Sequence, residues 1–137
     1  MAASKPKTAT KTKARAPLDR LREICLTMPG AVEKLSHGEP TWFTGPKGKV
    51  FVMFDDHHHG AAHVSAYIAT PMELRDELLA AAPDRYWIPP YVGGKGWVAV
   101  YLDGGPAALE PDWAVIAGLV REGFANVGAP PRRTGRR

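Results

Sequence analysis

Four of the five histidines fall within seven residues, His57-His58-His59 and His63, directly after Asp55-Asp56, and the fifth, His37, stands two residues before Glu39. Imidazoles and carboxylates this close could bind a metal. Zinc asks for three or four ligands converging tetrahedrally. On an extended strand His57 and His59 share a side while His58 points away, so His57, His59 and His63 form the candidate set, with Asp55, Asp56 or His37 completing it if the loops meet. No Cys-x-x-Cys or His-Glu-x-x-His pattern accompanies them, and solvated turn histidines are the simpler alternative. Acid-base or hydrolytic work would draw on His37, Glu39, the histidine turn and Arg85, with a carboxylate orienting a histidine of near-neutral pKa. Ser36 and Ser65 have no nucleophile-elbow context. The single cysteine, Cys25, lies on an apolar helical stripe and reads as a buried structural thiol. Trp42, Trp87, Tyr91 and Trp97 could line a pocket, although aromatic residues on strands more often form core. No motif specifies a reaction or a cofactor, so a binding protein is favoured over an enzyme.

Charge is a stronger functional signal than the histidines. Lys5, Lys7, Lys11, Lys13 and Arg15 lie in the first seventeen residues, and Arg132, Arg133, Arg136 and Arg137 in the last six, with no acidic residue among them. Removing these nine from the 18 Lys and Arg leaves nine against all 14 Asp and Glu, so the body between the tails has a formal charge of −5 although the whole chain is +4. Flexible basic arms neutralise backbone phosphates and release counterions, giving affinity without sequence preference. Arg20 and Arg22 extend the N-terminal group. The expected partner is DNA. Tails that serve solubility alone are the competing reading.

Positioning these groups requires a folded body. A chain of 137 residues, 45% hydrophobic and 23% charged, is suited to one domain. Residues 1–17 lack large apolar side chains after Met1 and read as a disordered basic tail, 18–131 as the domain and 132–137 as a second basic tail. The longest apolar runs, Val50 to Phe54 and Trp97 to Leu102, are far short of the roughly 20 residues that span a bilayer. No apolar segment of signal-peptide type follows the basic N-terminus, and one cysteine suits a reducing compartment. A cytoplasmic location is expected. Pro17 opens a first helix carrying Leu18, Leu21, Ile24, Cys25 and Met28, and Pro29-Gly30 ends it. After a connection through Glu33 and Leu35 come strands over 41–44 and 49–54, the second apolar on both faces and therefore central. A third strand spans 63–68. Thr70, Pro71 and Glu73 spell a capping box for a helix bearing Leu74, Leu78 and Leu79. A short edge strand and loop cover Arg85 to Val92, a strand spans 97–102, and a last helix starts near Pro111-Asp112. The order is α-β-β-β-α-β-β-α, an α+β domain with a mainly antiparallel sheet and helices packed on it.

Pro29-Gly30 after a leading helix, Gly38-Glu39-Pro40 entering Trp42-Phe43, Lys49-Val50-Phe51, Pro89-Pro90-Tyr91, and Trp97-Val98 with Leu102 together resemble the MmcQ/YjbR family over about residues 18 to 127. The resemblance implies a frataxin-like (CyaY-like) α+β fold of double-wing type and a DNA-binding role. The expectation is therefore a non-enzymatic DNA-binding-type protein holding phosphates through its tails. The alternative is a small-ligand or metal-binding domain, or a hydrolase-like site, on the His37/Glu39 and His57 to His59 turns.

Overall fold

A computed structural model describes residues 9–57 and 62–128. Lys5, Lys7, His58, His59, Arg132, Arg133, Arg136 and Arg137 lie outside the described residues. The elements are α1 (Ala9–Cys25), β1 (Val32–Ser36), β2 (Glu39–Phe43), β3 (Val50–Asp56), β4 (Val64–Ile68), α2 (Met72–Ala81), β5 (Tyr86–Trp87), a 3-10 turn (Gly93–Lys95), β6 (Val98–Tyr101) and α3 (Trp113–Gly128). The six strands form one sheet ordered β1-β2-β3-β4-β6-β5, with every neighbouring pair antiparallel.

The observed order has one more strand than expected. Val32 to Ser36, read as a connection, is edge strand β1, pairing Glu33 with Trp42 and Lys34 with Thr41. Its sequence hides it because Leu35 points outward and is 74% exposed, as only an edge strand permits. Helix α1 also begins earlier than expected, at Ala9. It takes in half of the segment read as disordered, including the backbone of Lys11, Lys13 and Arg15, and leaves Pro17 inside the helix. Ala, Lys and Arg are strong helix formers, and Pro17 removes only one backbone donor.

Directly paired residues point to the same side of a sheet, and the register sorts the side chains into two faces. Trp42, Val52, Phe54, Ala66, Ile68, Val98 and Val100 share one face and are all buried. Helices α1 and α3 pack there. A register shift between β2 and β3 leaves Phe51 as an extra residue, and such a bulge re-aims a side chain. Phe51 thereby meets Phe124 of α3 edge-on at 5.1 Å. Gly123 lets α3 come close, since a Cβ there would stand 3.0 Å from the Ile68 side chain. The central place of β3 and the edge place of β5 match the sequence reading.

The start of α2 does not. Thr70 makes no cap; its Oγ1 donates instead to the Gly96 carbonyl at 3.1 Å, and Pro71 stands at the N-cap. A buried hydroxyl with a carbonyl in reach ties β4 to the turn before β6 rather than to its own helix. Asp112 does cap α3, accepting the Val115 N–H at 3.2 Å.

Candidate functional site

The β1-β2 connection is a two-residue turn with positive φ at both His37 and Gly38, the type I′ pattern that suits strand twist. It brings Glu39 beside the end of β3, where the Glu39 carboxylate accepts the Asp56 N–H at 3.1 Å. His57 follows with positive φ, its Nδ1 2.6 Å from Asp56 Oδ1. The hairpin turn therefore meets the end of β3 at Asp56, next to His57. Beyond the loop, His63 Nδ1 stands 3.3 Å from Asp103 Oδ2, which also accepts the Val64 N–H. His57 and His63 thus serve different carboxylates. Among the described residues no group of three or more His, Cys, Asp or Glu is placed to hold a metal.

The remaining pocket candidates do not join them. His37 stays at its turn, with Nδ1 3.3 Å from Ser36 Oγ. Trp42 and Trp97 are core residues. Arg85 precedes edge strand β5 and donates to the Glu110 carbonyl at 2.9 Å. There it borders a crevice of about 10 Å³ with Tyr86, Tyr101 and Asp112, room for at most one water.

What sequence reasoning missed lies on the sheet face opposite α1 and α3. Ser65 and Tyr67 of β4 point there, as do their partners Asp55, Met53, Tyr101 and Ala99. Trp87 on β5, opposite the small Ala99, reaches across β6 to donate from its indole N–H to Ser65 Oγ at 3.2 Å. Tyr67 meets the Trp87 ring edge-on at 5.7 Å, Tyr101 stacks on it at 6.0 Å, and His63 meets Tyr101 at 5.3 Å. Burial first, then the charges of Asp55 and Glu39, push the Tyr67 phenol's pKa up. The period-two alternation of Ser65 and Tyr67 with Val64, Ala66 and Ile68 was the available signal.

The basic candidates Arg20 and Arg22 both make contacts within the domain. Arg22 gives Glu33 a two-pronged hydrogen bond, Nε at 2.8 Å and Nη2 at 2.9 Å, and reaches Asp19 at 3.1 Å. Trp42 donates its indole N–H to the same Glu33 at 3.0 Å. These bonds hold the Glu33 carboxyl below its ordinary pKa and the Arg22 guanidinium above its own. Arg20 lies 4.9 Å over the Trp113 ring. Each arginine thus closes α1 onto the domain.

One loop stands out from the surface. Between β5 and β6, Tyr91 is 83% exposed at φ +64, and the Val92 N–H bonds the Pro90 carbonyl at 2.6 Å around it.

A family model named YjbR matches residues 26–125. The chain belongs to the YjbR family. The YjbR match takes in all six strands, α2 and most of α3, and leaves α1 and both basic segments outside. The chain is also similar to the crystal structure of the Deinococcus radiodurans protein DR2400, which carries a DUF419 domain. The TM-score is 0.68 at 20% identity, over 85% of this chain and 82% of that one. That likeness speaks to the YjbR fold. No curated protein matches the chain. No described helix is long and apolar enough to cross a membrane.

Proposed function

We propose that this YjbR-family protein is a cytoplasmic DNA-binding protein whose phosphate contacts are made by its two basic terminal segments, with the acidic domain as the body that carries them. The observation that supports the reading is where the positive charge is available. Arg20, Arg22, Arg75 and Arg85 each make contacts within the domain, whereas the two segments that carry the nine terminal cations contain no acidic residue. Helix α1 carries three of the nine, at 11, 13 and 15, and the Arg22–Glu33–Trp42 clasp fastens that helix to the sheet. A basic arm rooted in this way suits the frataxin-like, double-wing description implied by the resemblance. The test is duplex binding by fluorescence anisotropy across a salt series, comparing the full chain with one whose nine terminal Lys and Arg are changed to Gln. Each phosphate contact contributes about 0.9 to the slope of log affinity against log salt. The Gln chain is expected to lose most of the slope; an unchanged slope, or no binding by either chain in roughly 50 mM salt, sinks the reading.

A small-ligand or metal site is the second reading, favoured by the contact of the Glu39 carboxylate with the Asp56 N–H beside His57; a metal there would need ligands beyond the described residues, among which no group is placed to hold one. Zinc titration by calorimetry should then give stoichiometric heat that is lost on His57→Ala; no heat removes it.

A further inference from the structure

We propose that this protein self-associates by pairing β1 with the β1 of a second copy across a two-fold axis at Leu35, so that the two sheets run on as one. The inference stands apart from the nucleic-acid reading above.

The two edges of the sheet are β1 and β5, and they are guarded unequally. β5 has two residues and runs through Ile88 into Pro89-Pro90, which cannot donate to a further strand. β1 has five residues, no proline and an unbroken register with β2. The hairpin fixes which of its backbone groups are free. Leu35 stands opposite Pro40, which has no N–H, and a residue that exchanges no bonds with its antiparallel partner aims both backbone groups the other way. The N–H and C=O of Leu35 therefore face outward, as do those of Glu33 two residues back. Among the described residues nothing bonds to them. Charged side chains usually protect such an edge, and here both are drawn back over the domain. Lys34 donates from Nζ to the Pro46 carbonyl at 3.0 Å and lies 4.4 Å over the Phe43 ring. Glu33 is held by Arg22 and Trp42. Leu35 is left 74% exposed.

Charge makes a second copy the fitting occupant. Asp19, Arg22, Glu33 and Lys34 carry two charges of each sign along this edge, so two acidic bodies can approach here without like charges facing one another. The possible two-fold registers sort in the same way, since like charges directly opposite are destabilising. An axis at Glu33 sets that residue against itself, and an axis at Lys34 does the same with lysine. An axis at Leu35 sets leucine against leucine and Lys34 against Ser36, exchanges two backbone hydrogen bonds and covers the exposed side chain. Paired residues point to the same side, so both α1 helices, each clasped to its own β1, flank the axis on one side of a sheet of twice six strands. Five residues a side fall short of the roughly 20–30 of a stable interface. The dimer should therefore be weak and concentration-dependent.

The experiment is analytical ultracentrifugation of the full chain from about 1 μM to about 1 mM, with Tm measured in dilute solution, for wild type, Leu35→Pro, Leu35→Lys, Leu35→Asp and an equal mixture of the last two. The wild type should pass from monomer to dimer across the series. Leu35→Pro removes an N–H that the β1-β2 ladder does not use, and should weaken association about 5- to 150-fold through the two hydrogen bonds lost at the axis. Leu35→Lys and Leu35→Asp should each be monomeric, and their mixture should associate again, a result no folding defect can produce. In the register that sets Leu35 against Glu33, Leu35→Lys would instead associate more tightly than the wild type. That outcome overturns the axis at Leu35, as does a mixture that associates no better than its components. A wild type that stays monomeric throughout, or a dimer that Leu35→Pro leaves intact, overturns the pairing itself.

Discussion

The two faces of the sheet are held in different ways. Beneath α1 and α3, Trp42, Val52, Phe54, Ala66, Ile68, Val98 and Val100 exclude water by apolar volume, with one polar clasp, Arg22–Glu33–Trp42, at the margin. On the opposite face, Glu39, Asp55, Ser65, Tyr67, Trp87 and Tyr101 interlock through hydrogen bonds, ring contacts and charge. Dense packing makes the first face intolerant of lost volume. The second depends on directional contacts and on protonation, and so responds to pH.

The largest expected effect is on the packed face. Trp42→Ala removes a fully buried indole from beneath α1 and leaves the Glu33 carboxylate without one of its donors. The cost should be about 3–5 kcal/mol, measured by urea unfolding. Trp87→Phe on the other face removes one partly buried hydrogen bond to Ser65 while keeping a ring, and should cost about 1 kcal/mol. Equal losses at the two positions would erase the contrast between volume and directional contact.

Much of this division was legible in the sequence, and what was not has physical causes. The run Val50 to Phe54 announced a central strand because both of its sides are apolar. Strand β1 was invisible because an edge strand buries little and its polar residues Glu33 and Lys34 find partners only after folding, on Arg22 and over the Phe43 ring. Thr70 matched a capping pattern, yet tertiary contact gave its hydroxyl a different acceptor. At the candidate site, Glu39 and Asp56 were named and do meet, with His57 against Asp56, while Arg85 was named and lies by the far edge strand. No spacing along the chain encodes the end of the sheet at which a side chain arrives. Tyr67 and Trp87 were legible as strand residues but not as partners, because β6 enters between their strands from thirty residues downstream.

The clasp gives an intermediate effect with a pH signature. The hydrogen bond from Arg22 holds the folded pKa of Glu33 below its ordinary 4.5, against burial, which acts the other way. Its stabilisation is therefore complete above about pH 5 and is lost as pH falls through the folded value. Glu33→Gln should cost about 1–2 kcal/mol at pH 7, near the lower part of the range for charged hydrogen bonds because the pair is partly exposed. Unfolding midpoints of the variant and the wild type should converge as pH falls below the ordinary carboxylate pKa. A constant gap across that window would mean that shape, and not charge, holds α1 to the sheet.

The smallest effect at neutral pH belongs to the opposite face and has the opposite pH direction. Tyr67 has a folded pKa raised above its ordinary 10.0, by burial first and by Asp55 next, so its neutral phenol is the form the fold accepts. A raised folded pKa means that the stabilisation is fully present below pH 10 and disappears as pH climbs beyond it. Tyr86 and Tyr101 shift the same way, chiefly through burial, so the wild type should lose stability steeply on the alkaline side. Tyr67→Phe removes the ionisable group with the largest of the three shifts while keeping the ring against Trp87. Its midpoint should lie close to that of the wild type at pH 7 and above it at about pH 11, and absorbance titration should show one fewer late-ionising tyrosine. If instead the two proteins decline together above pH 10, the alkaline weakness lies with Tyr86 and Tyr101, and the face bearing Asp55 is tied together by ring packing rather than by protonation.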